Sequence, residues 1–225
     1  MKKSRLEIFV GARGWNYPEW SGEFYPEDLP EDWRFSYYSN ELQAVLVPYD
    51  YLRRYPLEEW AEWVEDAPKE FAFYVELSDT SSWTDVHEVL EVLGEQLKGI
   101  VIVIDKLPDI EALASLIRHA KAMAPVCIHS SGGKVSDQDM QTLQSCHEVN
   151  ECWNGEDEAP VWGYGGAAVL LRDSRKQNSP DILRQMIEKG IEYAGACDAI
   201  ALFFTGDSPK ISDMRNARTI TDLLV

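Results

Sequence analysis

Short apolar runs rich in β-branched residues recur along this chain of 225 residues, and segments with helical spacing separate most of them. The runs fall at 8–10, 44–47, 71–75, 100–104, 125–128, 168–171 and 199–204, with a weaker one at 149–153. Near-continuous apolar runs of this kind suit strands of a parallel sheet buried on both faces. Between them, Val86, Val89, Leu90, Leu93 and Leu97 recur at three- and four-residue steps. Pro108 opens a second such pattern, with Ile110, Leu113, Ile117 and Ala120 on one side. Ser179-Pro180 is a start signal, because Ser caps and Pro suits the first helical position. Ile182, Leu183, Met186, Ile187 and Ile191 then follow at helical spacing, and Ser212 is placed to cap a last helix carrying Ile220, Leu223 and Leu224. Leu57, Trp60, Trp63 and Val64 give a shorter helix. Residues 154–166 hold four Gly and a Pro with no period and read as loop.

Strands alternating with helices imply βαβ units. The expected fold is α/β: a TIM-like (β/α) barrel of seven or eight mainly parallel strands, with the helix after strand six degraded, and residues 1–225 as one domain. An open doubly wound sheet is the alternative. Against it, Gly11-Ala12-Arg13-Gly14 after the first strand matches neither G-x-G-x-x-G nor a P-loop, and no other strand is followed by a Gly-rich phosphate turn.

Composition narrows the function classes. With 39 acidic and 21 basic side chains the formal charge is −18, which disfavours nucleic acid and anionic membrane surfaces as partners. No stretch reaches the ~18 consecutive apolar residues of a membrane span. The basic start Met1-Lys2-Lys3-Ser4-Arg5 has no apolar segment after it before Gly11, so no secretory signal is expected. Four cysteines without such a signal read as reduced thiols of a cytoplasmic protein. Of 25 aromatic residues, 18 lie between Phe9 and Tyr74. The N-terminal third therefore demands large, flat side chains.

That demand concentrates in Gly11-Ala12-Arg13-Gly14-Trp15-Asn16-Tyr17-Pro18-Glu19-Trp20-Ser21-Gly22-Glu23-Phe24-Tyr25-Pro26. The stretch resembles the opening signature of the YecE-like family, also called domain of unknown function 72: a Gly, then Gly-Trp, Tyr, Trp, Gly and Phe-Tyr-Pro. Gly11, Gly14, Trp15, Tyr17, Trp20, Gly22, Phe24, Tyr25 and Pro26 fit it. Weaker echoes follow at Trp60, Trp63, Phe71-Ala72-Phe73, Leu107-Pro108, 204–207, Asn216-Ala217 and Leu223-Leu224. The resemblance implies a TIM-like barrel and no established activity.

Departures from the family pattern fall at strand ends. The family's second strand ends Thr-Val-Glu-Ile-Asn, where this chain reads Ala44-Val45-Leu46-Val47-Pro48. Its third strand ends in Lys, where Glu76 stands here, and no His follows in 79–83. Its fifth strand carries Glu and Arg where Cys127 and His129 stand, and its last strand ends Asn-Asn-Asp where this chain has Thr205-Gly206-Asp207. Acid in place of base at position 76 repels an anionic group and favours a cation or a neutral polar ligand.

In TIM barrels the site lies at the C-terminal strand ends. Glu76, Asp105 and Asp50 are the candidate catalytic carboxylates, able to do acid–base or glycoside chemistry or to hold a divalent metal. The alternative is that they are solvated or pair with Arg13 and Lys106. Arg13, Trp15, Tyr17, Trp20, Tyr25, His129 and Asp207 are the candidate ligand-binding residues. The aromatic group is either a stacking surface for a sugar or base, or a hydrophobic plug packing the first loop onto the barrel. Cys127-x-His129 puts both side chains on one strand face, but Cys146-His147-x4-Cys152 is not a common zinc spacing, so no metal site is assigned. No cofactor is identifiable, although a divalent metal is compatible with the carboxylates. Arg172, Arg175 and Lys176 form a small basic cluster before Ser179, suited to a phosphate or to a solvated loop.

Three functions follow. The favoured one is a diverged member that binds a small polar ligand or a protein partner through its aromatic N-terminal loop. The second is an enzyme, of hydrolase or isomerase type, acting on a small sugar-like or polar substrate with the strand-end carboxylates. The third, metal-dependent phosphodiester chemistry on nucleic acid, rests on fold analogy alone and is opposed by the charge of −18.

Overall fold

A computed structural model describes residues 6–106, 109–132, 135–156, 160 and 162–224. Eight parallel strands follow the order β6-β5-β4-β3-β2-β1-β8-β7 in one sheet. They are β1 (Glu7–Arg13), β2 (Ala44–Val47), β3 (Ala72–Ser78), β4 (Leu97–Ile104), β5 (Val126–Ser130), β6 (Asn150–Glu151), β7 (Ala167–Asp173) and β8 (Ala199–Thr205). The sheet curls until its two edges meet. Just past β6, Trp153 bridges to Leu170 of β7, with Trp153 N–H donating to the Val169 carbonyl at 2.9 Å and Leu171 N–H to the Trp153 carbonyl at 2.8 Å. The result is a nearly closed barrel, and this short seam is its weakest join.

Side-chain alternation sorts each strand into two faces. Phe9, Ala44, Leu46, Ala72, Tyr74, Val101, Cys127, Val169, Ala201 and Phe203 fill the barrel interior. Val45, Val47, Phe73, Val75, Ile100, Ile102, Ile128 and Leu202 point outward under the helices. The interior mixes bulky rings with small residues, as a tapering barrel requires. Gly99 illustrates the fit: a Cβ there would lie 2.5 Å from the Tyr74 ring.

Helices lie between the strands: α1 (Arg34–Glu41), α2 (Tyr49–Arg54), α3 (Leu57–Asp66), α4 (His87–Leu93), α5 (Ile110–Lys121), α6 (Asp137–His147), α7 (Pro180–Tyr193) and α8 (Ile211–Leu224). The Ser179 hydroxyl caps α7 by accepting from the Ile182 N–H, and Pro180 takes the first turn, as the sequence predicts. No helix occurs among the described residues of 154–166, which fits a degraded sixth crossover.

Several boundaries differ from the sequence expectation. Leu97 begins β4 instead of ending a helix, because Gly94 turns the chain out of α4 at a φ of +50°. Leu107 and Pro108 lie outside the described residues. The cap of α5 is Asp109, whose Oδ1 accepts from the Glu111 and Ala112 N–H groups at 2.9 and 3.2 Å. Ser212 lies inside the first turn of α8, not at its cap. Helix α6 has no counterpart in the sequence expectation: Met140 and Leu143 are its only buried residues, so its apolar spacing is weak, and the Ser136 cap, which accepts from the Asp139 N–H, was its available signal. No helix among the described residues is long and apolar enough to cross a membrane.

Candidate functional site

At the C-terminal mouth of the barrel, the inward alternation carries polar side chains one layer above the apolar fill. Above Tyr74 on β3 come Glu76 and Ser78, above Cys127 on β5 comes His129, and β1 ends at Arg13. Between β1 and β3, strand β2 ends at Val47, with Pro48 just past it, so no charged side chain at its end separates the two. Arg13 spans the gap: its Nε donates to Glu76 Oε2 at 2.7 Å and its Nη2 to Glu76 Oε1 at 2.6 Å. Two parallel charge-assisted bonds fix both side chains in one geometry. The Glu76 bonds, more than anything else, push the Arg13 guanidinium further up.

A cleft of about 180 Å³ opens beside this pair, lined by Arg13, Tyr49, Asp50, Glu76, Ser78 and Asp105 among others. Three of the candidate carboxylates thus share one small cleft with the candidate cation. Asp50 and Asp105 are exposed and, among the described residues, have no hydrogen-bond or ion-pair partner. His129 is half-buried in the same mouth. Burial holds its imidazole below the ordinary range, and the charges of Glu76 and Asp105 partly offset that. Tyr17 sits at the rim, where its hydroxyl donates to the Arg13 carbonyl. Burial pushes its phenol up, and it also senses the charges of Arg13, Glu76 and Asp207.

The aromatic signature takes a different place. Trp15, Trp20 and Tyr25 are only 3%, 2% and 1% exposed. Trp15 meets Phe35, Tyr51 and Trp63 edge-on, each at 4.9 Å between ring centroids. Trp20 donates its indole N–H to the Pro209 carbonyl at 2.7 Å, tying the first loop to the segment after β8. The Tyr25 hydroxyl donates to the Trp15 carbonyl at 2.6 Å, folding the loop on itself. These rings have no face open to a ligand and form the plug that the alternative reading describes. Of the aromatic candidates, Tyr17 alone keeps part of its surface at the mouth.

The remaining sequence candidates resolve into structural roles. Cys127 is buried, with its thiol donating to the Ala167 carbonyl at 3.3 Å, and Cys152 lies against it inside the barrel. Burial, then the contact with Cys127, pushes the Cys152 thiol well up. Among the described residues no group of three or more His, Cys, Asp or Glu is placed to hold a metal ion. Arg172 is buried and holds the loop after β7: Nε donates to Asn178 Oδ1 at 2.7 Å, Nη2 to the Gln177 carbonyl at 2.8 Å and Nη1 to Glu156 at 3.1 Å. Arg175 pairs with Asp173 and Lys176 with Glu156, so the basic cluster is neutralised locally. Ser78 was missed by the sequence reading, which ends the third strand at Val75. The alternation Tyr74, Glu76, Ser78 was the available signal.

A second, larger cleft of about 1170 Å³ opens at the other end of the barrel, where Lys98, Asp198 and Arg218 contribute to its wall. It lies at the N-terminal strand ends, the face that serves stability in TIM barrels, whereas chemistry collects at the C-terminal ends.

Comparison with known proteins agrees with this architecture. A DUF72 family protein from Thermotoga maritima (TM1631) is 13% identical and covers 97% of this chain and 99% of its own, with a TM-score of 0.66. A DUF72 family protein from Enterococcus faecalis V583 (EF0366) is 14% identical, covers 99% of each chain and has a TM-score of 0.65. Phosphoribosyl anthranilate isomerase from Thermotoga maritima is 12% identical, covers 97% and 99%, and has a TM-score of 0.53. At such identities these likenesses speak for the fold alone. No curated protein matches the sequence. The sequence profile described as "Protein of unknown function DUF72" matches residues 9–128, more than half of the chain, and the chain belongs to that family.

Proposed function

We propose that this protein binds a small polar ligand at the C-terminal mouth of its barrel, in the cleft beside the Arg13–Glu76 pair. One observation carries this reading: side chains from the ends of β1 and β3 and from just past β2 and β4 meet around one cleft of about 180 Å³. Such a small cleft with convergent polar groups suits a small molecule and is too small for a protein surface. The buried aromatic loop supports the site instead of touching the ligand. It fixes Arg13 through Tyr17 and anchors the rim to the segment after β8 through Trp20. Fragment screening on ¹⁵N-labelled protein tests this. Polar fragments are expected to shift the amides of Arg13, Ser78, Asp105 and His129. Shifts confined to the N-terminal cleft, or to surface loops, overturn it.

A second reading, catalysis on such a ligand, is supported by His129. A neutral imidazole beside two carboxylates is a competent general base. Substituting His129 by Gln separates the two readings once a ligand is in hand, because it abolishes turnover while leaving binding within a few-fold.

A further inference from the structure

We propose that the seam between β6 and β7 is a redox-sensitive joint: it opens locally while the rest of the barrel stays folded, and a small disulfide then modifies the cysteines behind it. Strands β5 and β6 pair at two positions, Cys127 with Asn150 and Ile128 with Glu151. Across the seam the described residues make a single bridge, Trp153 to Leu170, whereas β7 and β8 pair at seven positions. With so few backbone bonds to break, this join opens at the least cost.

Side chains take over where the backbone ladder stops. Asn150, only 2% exposed, donates its amide to the Gly165 and Ala167 carbonyls, each at 3.2 Å, and accepts from the Tyr164 N–H at 3.3 Å. It latches the seam, and its Nδ2 also lies 3.5 Å from Cys197 Sγ. The Cys127 thiol donates to the same Ala167 carbonyl at 3.3 Å, and Cys152, next to the bridging Trp153, lies against Cys127. The three buried cysteines therefore all stand at this one seam, while Cys146 is exposed on α6.

Closed, the joint protects them. The thiolate is the attacking species, and burial pushes the Cys152 thiol well up and the Cys197 thiol up to about 11. Opened, Cys152 regains water, loses its proton to it and attacks one sulfur of the disulfide. A new S–S bond forms, the reagent's own S–S bond breaks, and its other half leaves as a thiolate. The close-packed interior has no room for the adduct, so the modified seam stays open.

Oxidised glutathione, added to the full chain at mildly alkaline pH, tests this, with mass spectrometry of the digested chain following each cysteine. The rate for each thiol relative to the urea-unfolded chain gives its protection, and urea titration gives the protection that global unfolding alone would set. Cys127 and Cys152 are expected to fall short of that limit by about ten-fold or more, in an adduct that keeps its far-UV circular dichroism. N150A should lower their protection about ten-fold or more, because the latch is lost. Y17F, on the loop after β1 and away from the seam, should leave it unchanged while lowering global stability. Hydrogen exchange of the unsubstituted chain needs no variant: the Trp153 and Leu171 amides, which close the seam, should be about ten-fold or more less protected than those of β8. Thiols protected to the global limit, protection that falls with Y17F as global stability does, or seam amides as protected as β8 overturn the proposal. So does an adduct that is unfolded throughout.

Discussion

Arg13 at the end of β1 and Glu76 near the end of β3 form a two-pronged ion pair across the barrel mouth, at 2.7 and 2.6 Å. The partners are 63 residues apart in sequence, and the curl of the sheet brings them together. The side chains are 40% and 15% exposed, so water weakens the attraction without abolishing it.

Breaking this pair is expected to cost modestly. E76A and R13A should each lower stability by about 1–2 kcal/mol, after allowing for the exposure of Arg13. A double-mutant cycle by urea unfolding should return a coupling of about 1 kcal/mol. Strict additivity of the two variants would show that the pair does not exist in solution.

The aromatic loop should behave as core. W15A removes a ring packed edge-on against four others, Phe35, Tyr51, Trp60 and Trp63, and should cost about 3–5 kcal/mol. Y17F, which removes only the hydroxyl that bonds the Arg13 carbonyl, should cost about 1 kcal/mol. Denaturant titrations decide this: a W15A protein as stable as the parent would mean the loop is a detachable binding surface.

Tyr74 and Gly99 make opposite predictions inside the barrel. G99A pushes a methyl to 2.5 Å from the Tyr74 ring and should cost about 1–3 kcal/mol. Y74F removes a buried hydroxyl that has no hydrogen-bond partner among the described residues, so it should be neutral or stabilising by up to about 1 kcal/mol. Melting temperatures of the two variants, rising or unchanged for one and falling for the other, check the packing of this layer.

The His129 imidazole should give stability a pH dependence of definite sign. Its value in the folded protein is held below the unfolded one near 6.5, chiefly by burial. Its contribution is therefore fully present above the unfolded value. It is lost as pH falls below about 6.5 and through the lower folded value, because the unfolded chain takes up the proton first. The slope is at most about 1.4 kcal/mol per pH unit. H129Q should flatten stability as pH falls below about 6.5, and NMR titration of the ring proton should give the depressed value directly. A ring that titrates at or above 6.5 contradicts the burial.

The strands were legible where both faces are apolar. Ala44–Val47 is such a run and its bounds match the structure. Strand ends were less legible, because at the mouth the inward face turns polar while the backbone pairing continues, as at Glu76 and Ser78. Leu97 misled for a related reason: it continues the four-residue spacing of Leu93, and only the backbone freedom of Gly94 ends the helix. In the site, the strand-end rule found Arg13, Asp50, Glu76, Asp105 and His129 without deciding between Arg13, Lys106 and solvent as the carboxylates' partners. The pairing of Glu76 with Arg13 stood only as an alternative, since closure of the barrel decides which neighbour a side chain meets. The aromatic cluster was visible as a composition bias, but burial is a tertiary property, and a Trp-rich loop reads equally as plug or as platform.

The claim that the mouth is a small-molecule site is tested most directly by crystals of the protein soaked in a cocktail of small polar fragments. Fragment density is expected in the cleft, in contact with Asp50, Ser78 or Asp105 and beside an intact Arg13–Glu76 pair. Density in the larger cleft near Lys98 and Arg218, with only water in the mouth, would contradict it.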